Sequence, residues 1–502
     1  MSEMATLPDP RSAATELPSP STPGGPTRRG GDIAAMALWA VVIAAVVLLF
    51  AVPTPEIKGA LTIALSVVLI LLGLHVGLAL LLAGLGGIVA LAGLNAGMVS
   101  LAETPFNTSA SWSLTVIPLF VLMGTALSRF GLMDRLFKVA QAWLAWLPGG
   151  LGVATNFAGA GLAATSGSSI GISYTLARAA VPGMLRANYR PAMAVGVVAV
   201  AGTLGQLIPP SVMMVVYAGV AETPVGPQLL AGLMPGLITA LAFAAVIVVM
   251  SIVKPPAPAE GGVPTWSMRE RLAVLPGILP VLIISIVVIG GIFAGLFTPT
   301  EAGAVGALVA ILLGWVALPD KRPTRFLKTL MTCLLEAAGA TAAIFLLLIG
   351  VHFLTRVVVL SGLAESLTTF ATESGLSSVT FLLLLAVVFI VVGMFMDGMA
   401  MILISVPVLM PILTTLDIDL LWFGVFLVIL VEVALVTPPV GILSFVVHKV
   451  VQDPEVNLGH TITIVDVFKG AVPFIAVMLV LLVTLIFVPD IATWLPSVSG
   501  AE

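Results

Sequence analysis

The sequence predicts an all-α polytopic membrane protein made of two inverted-topology repeats, each with a re-entrant hairpin and a proline-broken span. Three observations carry this expectation. Of the 502 residues, 60% are hydrophobic and 9% charged, with mean hydropathy +1.20, against roughly 25% charged residues in soluble globular chains. Apolar runs long enough to cross a ~30 Å hydrocarbon core recur along the chain. A set of glycine-, serine- and proline-centred interruptions occurs twice, in the same order and at matching intervals.

Composition also excludes several function classes. The single cysteine, Cys333, rules out an intramolecular disulfide and a multi-cysteine metal site; it reads as a small buried residue. His75, His352, His448 and His460 show no metal-ligand spacing. No Gly-x-x-x-x-Gly-Lys-Ser/Thr loop is present, so primary energisation by ATP is not supported. Residues 1–32 are rich in Pro, Ser, Thr and Gly without an apolar period, as in a disordered cytoplasmic tail. They do not form a signal peptide: the apolar segment begins near Ile33, is too long, and lacks a small-residue cleavage site after it.

The distribution of Lys and Arg orders the spans, because both prefer cytoplasmic ends. Arg28 and Arg29 place the N-terminus inside, before an extra transmembrane helix at 33–52. The stretch 60–97 holds two spans joined near His75-Val76-Gly77. An external loop carrying Glu103 follows, and then a span at 113–128 that returns to Arg129, Arg135 and Lys138. Residues 129–147 alternate charged and apolar positions around Trp143 and Trp146, as a surface-lying helix does. Residues 150–181 are apolar, broken at Thr165–Ser169, and basic at both flanks, so they enter and leave from the cytoplasm as a hairpin. Spans at 191–220 and 224–253 complete a first repeat, 60–253.

A cytoplasmic linker, 254–273, carries Arg269 and Arg271. The second repeat, 274–489, repeats the order from the opposite side: spans at 274–297, 302–318 and 331–351, a surface helix at 357–373, a hairpin at 377–411 broken at Gly393–Gly398, and spans at 420–448 and 470–489. Residues 490–502 form an external C-terminal tail. Of the twenty basic residues, only Lys58 and Arg356 violate this assignment.

The interval from Pro182 to Pro209-Pro210 equals that from Pro411 to Pro438-Pro439. Both Pro-Pro pairs fall inside apolar spans. Proline lacks an N–H and clashes with the preceding turn, so each pair breaks its helix. Backbone freed at membrane depth is tolerated only where it is buried in protein or lines a polar cavity. Two broken spans and two hairpins at corresponding places in opposed repeats mark a transporter binding site.

Several motifs resemble one family. Thr165-Ser166-Gly167-Ser168-Ser169-Ile170-Gly171, Val181-Pro182-Gly183-Met184 and the run Gly202-Thr203-Leu204-Gly205-Gln206-Leu207-Ile208-Pro209-Pro210-Ser211 resemble the large membrane subunit of TRAP (tripartite ATP-independent periplasmic) transporters. So do Phe297-Thr298-Pro299-Thr300-Glu301-Ala302, Gly393-Met394-Phe395-Met396-Asp397 and Thr437-Pro438-Pro439-Val440-Gly441. The resemblance runs from about residue 60 to 490. It implies an elevator-type secondary transporter in the bacterial inner membrane, with Na+ as coupling ion and a small organic acid anion as substrate. It further implies a periplasmic substrate-binding protein that captures the anion and a small four-span membrane subunit, expected here on a separate chain. The remaining expected partner is membrane lipid, and nucleic acid is not expected.

The motif positions assign two candidate cation sites, since Na+ takes hard oxygens from unwound backbone, Ser, Thr and Asp. Ser166, Gly167, Ser168 and Ser169 at the first tip are expected to face Thr203, Gly205, Pro209 and Ser211. Gly393, Asp397 and Gly398 at the second are expected to face Thr437, Pro438 and Gly441. Asp397, inside an apolar segment, reads either as a cation ligand or as a cap on a hairpin helix. Glu432 faces either the pathway or a scaffold contact, Glu336 lies near a span end, and Arg356 binds either a substrate anion or the outer interface. Two other readings compete: a stand-alone Na+- or H+-coupled organic anion symporter, and, more distantly, an intramembrane enzyme. The enzyme reading lacks a zinc motif and a second intramembrane Asp aligned with Asp397.

Overall fold

A computed structural model of the chain describes residues 29–166, 168–255, 266–318 and 321–499. The tail at 1–28, Gly167 and half of the cytoplasmic linker lie outside the described residues. Within them all regular structure is helical and no strand occurs. Six helices are long and apolar enough to cross a membrane: Val225–Val253, Met268–Phe293, Pro299–Ala317, Pro323–Ser361, Gly398–Thr415 and Ile464–Phe487. Shorter apolar helices include Val76–Ala92, Val116–Arg129, Ser378–Gly393 and Leu420–Val436. The chain is therefore a multi-pass all-α membrane protein.

Glycines decide which helices touch. Lipid offers no hydrophobic drive for helix association, so close backbone approach through small residues replaces it. In one group, Pro323–Ser361 lies against Val76–Ala92. A Cβ on Gly77 would meet the Leu346 carbonyl oxygen at 2.7 Å, and one on Gly350 the Gly77 carbonyl oxygen at 2.5 Å. Pro299–Ala317 packs on Val116–Arg129 in the same way, with Gly303 against Leu119, Gly306 against Met123 and Gly314 against Phe130. In a second group, Pro191–Thr203 crosses Ile464–Phe487 where Gly196 meets Gly470. Gly232 and Gly236 of Val225–Val253 seat Leu207 and Ile208, and Phe243 meets Phe474 edge-on, with ring centroids 5.3 Å apart.

Local sequence sets the helix ends. Thr298, Pro299 and Glu301 form a capping box: Thr298 Oγ1 accepts from Glu301 N at 3.3 Å, and Glu301 Oε2 accepts from Thr298 N at 2.8 Å. Glu301, part of the motif read from sequence, thus starts its span. The segment expected as a surface helix is helical, Leu132–Leu144. Leu132, Leu136, Val139 and Ala142 are buried along one stripe, while Arg135 and Lys138 stay exposed. Arg135 donates from Nη2 to the Ala317 carbonyl at 2.8 Å, and Trp143 Nε1 donates to the Arg271 carbonyl at 3.2 Å.

The structure differs from the sequence reading in four places. The segment read as a loop around Glu103 is a helix, Leu94–Ser109. The span read as 331–351 belongs to a 39-residue helix, Pro323–Ser361, about 58 Å long at 1.5 Å per residue. That helix stops only where Gly362 adopts φ +69, the left-handed turn that glycine accepts without strain. The second surface helix is consequently shorter, Leu363–Glu373. The expected C-terminal tail carries a helix, Asp490–Ser497, docked on Val225–Val253 with Ala492 buried.

The two basic exceptions and Glu336 also find their places. Lys58 Nζ donates to the Ala90 carbonyl at 2.7 Å, a cation at the end of a helix. Arg356 is exposed on the long helix. Glu336 forms a two-pronged ion pair with Arg129, one arm of which is Nε to Oε2 at 2.8 Å. Cys333 is buried, as read.

The Gly196–Gly470 crossing yields a direct check. A Cβ on Gly470 would lie 1.8 Å from the Ala192 carbonyl oxygen, whereas one on Gly339 would meet nothing within 4 Å. Gly470→Ala is expected to cost at least roughly 1–3 kcal/mol through overpacking, and Gly339→Ala to be neutral or slightly stabilising. Thermal unfolding of both variants in detergent reads the contrast.

Candidate cation and substrate site at the hairpin tips

The first hairpin consists of Gly150–Ser166 and Ser169–Arg186. Ser168 opens the returning arm as its N-cap, its hydroxyl accepting from Gly171 N at 3.3 Å. The second hairpin consists of Ser378–Gly393 and Gly398–Thr415. Here Asp397 is the N-cap, accepting from Met399 N at 3.0 Å. Serine and aspartate at the tips thus follow from helix restart, whatever else they bind. Asp397 is exposed at the tip, so its place inside an apolar sequence segment does not bury it.

Both Pro-Pro pairs interrupt a span, and both peptide bonds are cis. The first span runs Pro191–Thr203, a short tight turn at Leu204–Gln206, and then Val212–Ala221. The second runs Leu420–Val436 and Ile442–Val450, with Gly441 at φ +52. The groups freed at the breaks are satisfied by side chains. Gln206 Oε1 accepts from Met213 N at 3.3 Å and from Ser211 Oγ at 3.4 Å, spanning the first break. Ser211 also caps Val212–Ala221, accepting from Met214 N at 3.2 Å. Across the second break, Ser444 Oγ donates to the Val436 carbonyl at 3.2 Å. Sequence reasoning assigned no role to Gln206 or Ser444. The available signal was a buried polar side chain within reach of a proline break, where a partner is obligatory.

The structure brings the first hairpin tip onto the first break. A Cβ on Gly205 would stand 3.3 Å from Ser169 N and 3.4 Å from Ser168 C, and one on Gly202 would fall 1.9 Å from Ser173 Oγ. At Gly202 only glycine admits this approach. Thr203, Pro209 and Ser211 are all buried there. The second tip sits somewhat before its own break: Gly393 lies against Ala434, and Gly398 against Val431 and Leu435. Gly398 also meets Met213 of the first broken span. Thr437 is half-buried, Pro438 is exposed and Gly441 is buried. The side chain of Ser166 and all of Gly167 lie outside the described residues.

A buried polar contact joins the first tip to the second broken span. Ser169 Oγ, at the first tip, donates to Glu432 Oε1 of the second broken span at 2.6 Å, 263 positions apart in the chain. Glu432 is completely buried. Thr203 and Thr437 spend their hydroxyl protons on the Val200 and Val433 carbonyls, at 2.7 and 2.6 Å, which leaves oxygen lone pairs available to a cation.

Two cavities lie away from the tips. One of about 750 Å³ is lined by Asn107, Ser111, Glu222, Thr223 and His352 among others. Another, of about 560 Å³, is lined by Lys138, Arg178, Arg186 and Glu455, with Arg178 paired to Asp453 at 3.0 Å. None of the tip or break residues assigned from sequence lines either cavity.

Removing the bridge over the first break separates a structural from an incidental role for Gln206. Gln206→Leu strands Met213 N in a buried setting and is expected to cost about 1–3 kcal/mol, read as a fall in unfolding temperature.

Residues 63–491 match the family described as the tripartite ATP-independent periplasmic transporter, DctM component. The C4-dicarboxylate TRAP transporter large permease protein DctM of Pseudomonas aeruginosa is 35% identical over 401 residues, covering 80% of this chain and 90% of that protein. The sialic acid TRAP transporter large permease protein SiaM of Vibrio cholerae is 29% identical, covering 77% and 87%. Among solved structures, the Alcanivorax borkumensis YdaH transporter superposes with a TM-score of 0.56 at 16% identity, over 80% of this chain and 90% of that one, which supports the fold. With the family matched over most of its length, and the hairpins and broken spans in place, the chain belongs to the DctM family of TRAP transporter large permeases.

Proposed function

We propose that this permease imports a small organic acid anion by Na+ symport, receiving it from a periplasmic binding protein and working beside a small four-span subunit on another chain. The observation that carries the reading is the convergence of two helix-restart tips and two proline-broken spans on one region. Relatives named for C4-dicarboxylate and sialic acid transport suggest a carboxylate substrate. The positive-inside pattern supports an inner-membrane orientation with the N-terminus cytoplasmic and the C-terminus periplasmic. It also supports opposed repeats.

The donor set at the tips fits Na+. It consists of hydroxyl, carboxylate and backbone oxygens, with no thiol or imidazole. Ser168, Ser169, Thr203 and Ser211 would hold one ion, and Asp397 and Thr437 with nearby carbonyls a second. Two groups of helices, each closely packed through its own glycines, favour an elevator motion in which the hairpin-bearing group slides against the other. The bound ions hold the tips in register with the broken spans, so that the substrate site is complete only when they are loaded.

Asp397→Asn tests the reading cleanly, because Asn caps a helix about as well as Asp and only the charge is lost. A ligand that binds only the folded state adds RT ln(1 + [L]/Kd), about 1.4 kcal/mol at roughly ten times Kd. Thermal unfolding in NaCl against KCl at equal ionic strength is expected to show a Na+-specific rise in the wild type that shrinks by at least about half in the variant. An undiminished rise would remove Asp397 from the site.

A further inference from the structure

We propose that Glu432 is the charged ligand of an additional sodium ion, held one helical turn deeper than the first hairpin tip, between that hairpin and the second broken span. The inference rests on the sodium coupling proposed above. Its starting point is a pair of orphaned oxygens. Glu432 Oε1 receives the Ser169 hydroxyl, but Glu432 Oε2 has no hydrogen-bond partner and is buried. Ser173 Oγ is likewise buried and without a partner.

These oxygens belong to one neighbourhood. Ser169 and Ser173 are four residues apart on one helix and so share a face. Both Ser173 Oγ and the Ser169 carbonyl oxygen crowd the place where a Cβ on Gly202 would stand, at 1.9 and 2.9 Å. Ser169 in turn touches Glu432. Among the described residues, no Lys, Arg or His pairs with Glu432.

A buried carboxylate without a basic partner is neutralised by a proton or by a cation, and an unsatisfied buried oxygen beside it points to an ion or water at that place. The available donors are carboxylate, hydroxyl and carbonyl oxygens, which suit a hard cation. Glu432 is the only fully buried acidic side chain among the described residues, and in the proposed site its single charge is balanced by one monovalent ion. Such an ion ties the first hairpin of one half to the broken span of the other.

Thermal unfolding of the purified protein in detergent, titrated with NaCl against choline chloride, tests the assignment, with Na+-driven succinate uptake in proteoliposomes that hold the small subunit and are supplied with the binding protein as a second readout. Gln at position 432 keeps the acceptor for Ser169 but loses the charge. Glu432→Gln is expected to lower the Na+ Hill coefficient of both readouts by about one. Ser173→Ala, which removes a neutral ligand only, is expected to raise the half-saturating Na+ concentration about tenfold at an unchanged Hill coefficient. A Glu432→Gln protein with wild-type Na+ cooperativity overturns the proposal and leaves the tip sites standing. If that variant fails to fold, an unchanged midpoint in Ser173→Ala overturns it instead. A wild-type protein indifferent to Na+ overturns the sodium reading as a whole.

Discussion

Backbone that leaves the helix inside a membrane must find its partners within the protein, and this constraint organises the structure. Two Pro-Pro pairs free donors and carbonyls where water is scarce. The chain answers with polar side chains delivered to the breaks: Gln206 and Ser211 at the first, Ser444 at the second. Each of these bonds is made within the broken span itself, across its interruption. The breaks are thus satisfied locally, and the first hairpin tip is free to approach its break through glycine.

Glycine makes that approach possible. Gly202 and Gly205 admit the first tip, Gly393 and Gly398 let the second tip reach the other broken span, and the Gly196–Gly470 crossing holds the scaffold of the site together. The same device, used separately between Val76–Ala92 and Pro323–Ser361, assembles the second group of helices. Tight packing inside each group gives both a fixed shape. A carrier that moves one group past another needs such rigidity on either side of the sliding surface.

The hydroxyl chemistry of the site follows from its helical surroundings. Serine and aspartate sit at the tips because a helix restarting from a turn wants an acceptor for its first free N–H groups. Threonine at the breaks donates backward to carbonyls and keeps its lone pairs. Structural duty and ion binding thus call for the same residue types at the same positions. This explains why composition alone could not tell a cap from a ligand at Asp397, and why charge, rather than hydrogen bonding, is the property that separates the two roles.

Much of the architecture was legible in the sequence. Span order, the two hairpins, the surface helix at Leu132–Leu144 and the breaks at Pro209-Pro210 and Pro438-Pro439 follow from apolar length, charge position and proline chemistry, all of which act locally. The longer reach of Pro323–Ser361 and the helix at Leu94–Ser109 were not, because helix continues or stops according to what packs beside it. The Ser169–Glu432 contact was also beyond reach: Glu432 reads equally as a pathway or a scaffold residue until the fold sets it 2.6 Å from a serine 263 positions away. The sequence by itself determined where the chain crosses, turns and breaks. The tertiary structure alone decided which breaks, tips and carboxylates meet, because those contacts depend on helix crossings set by side-chain volume at distant positions.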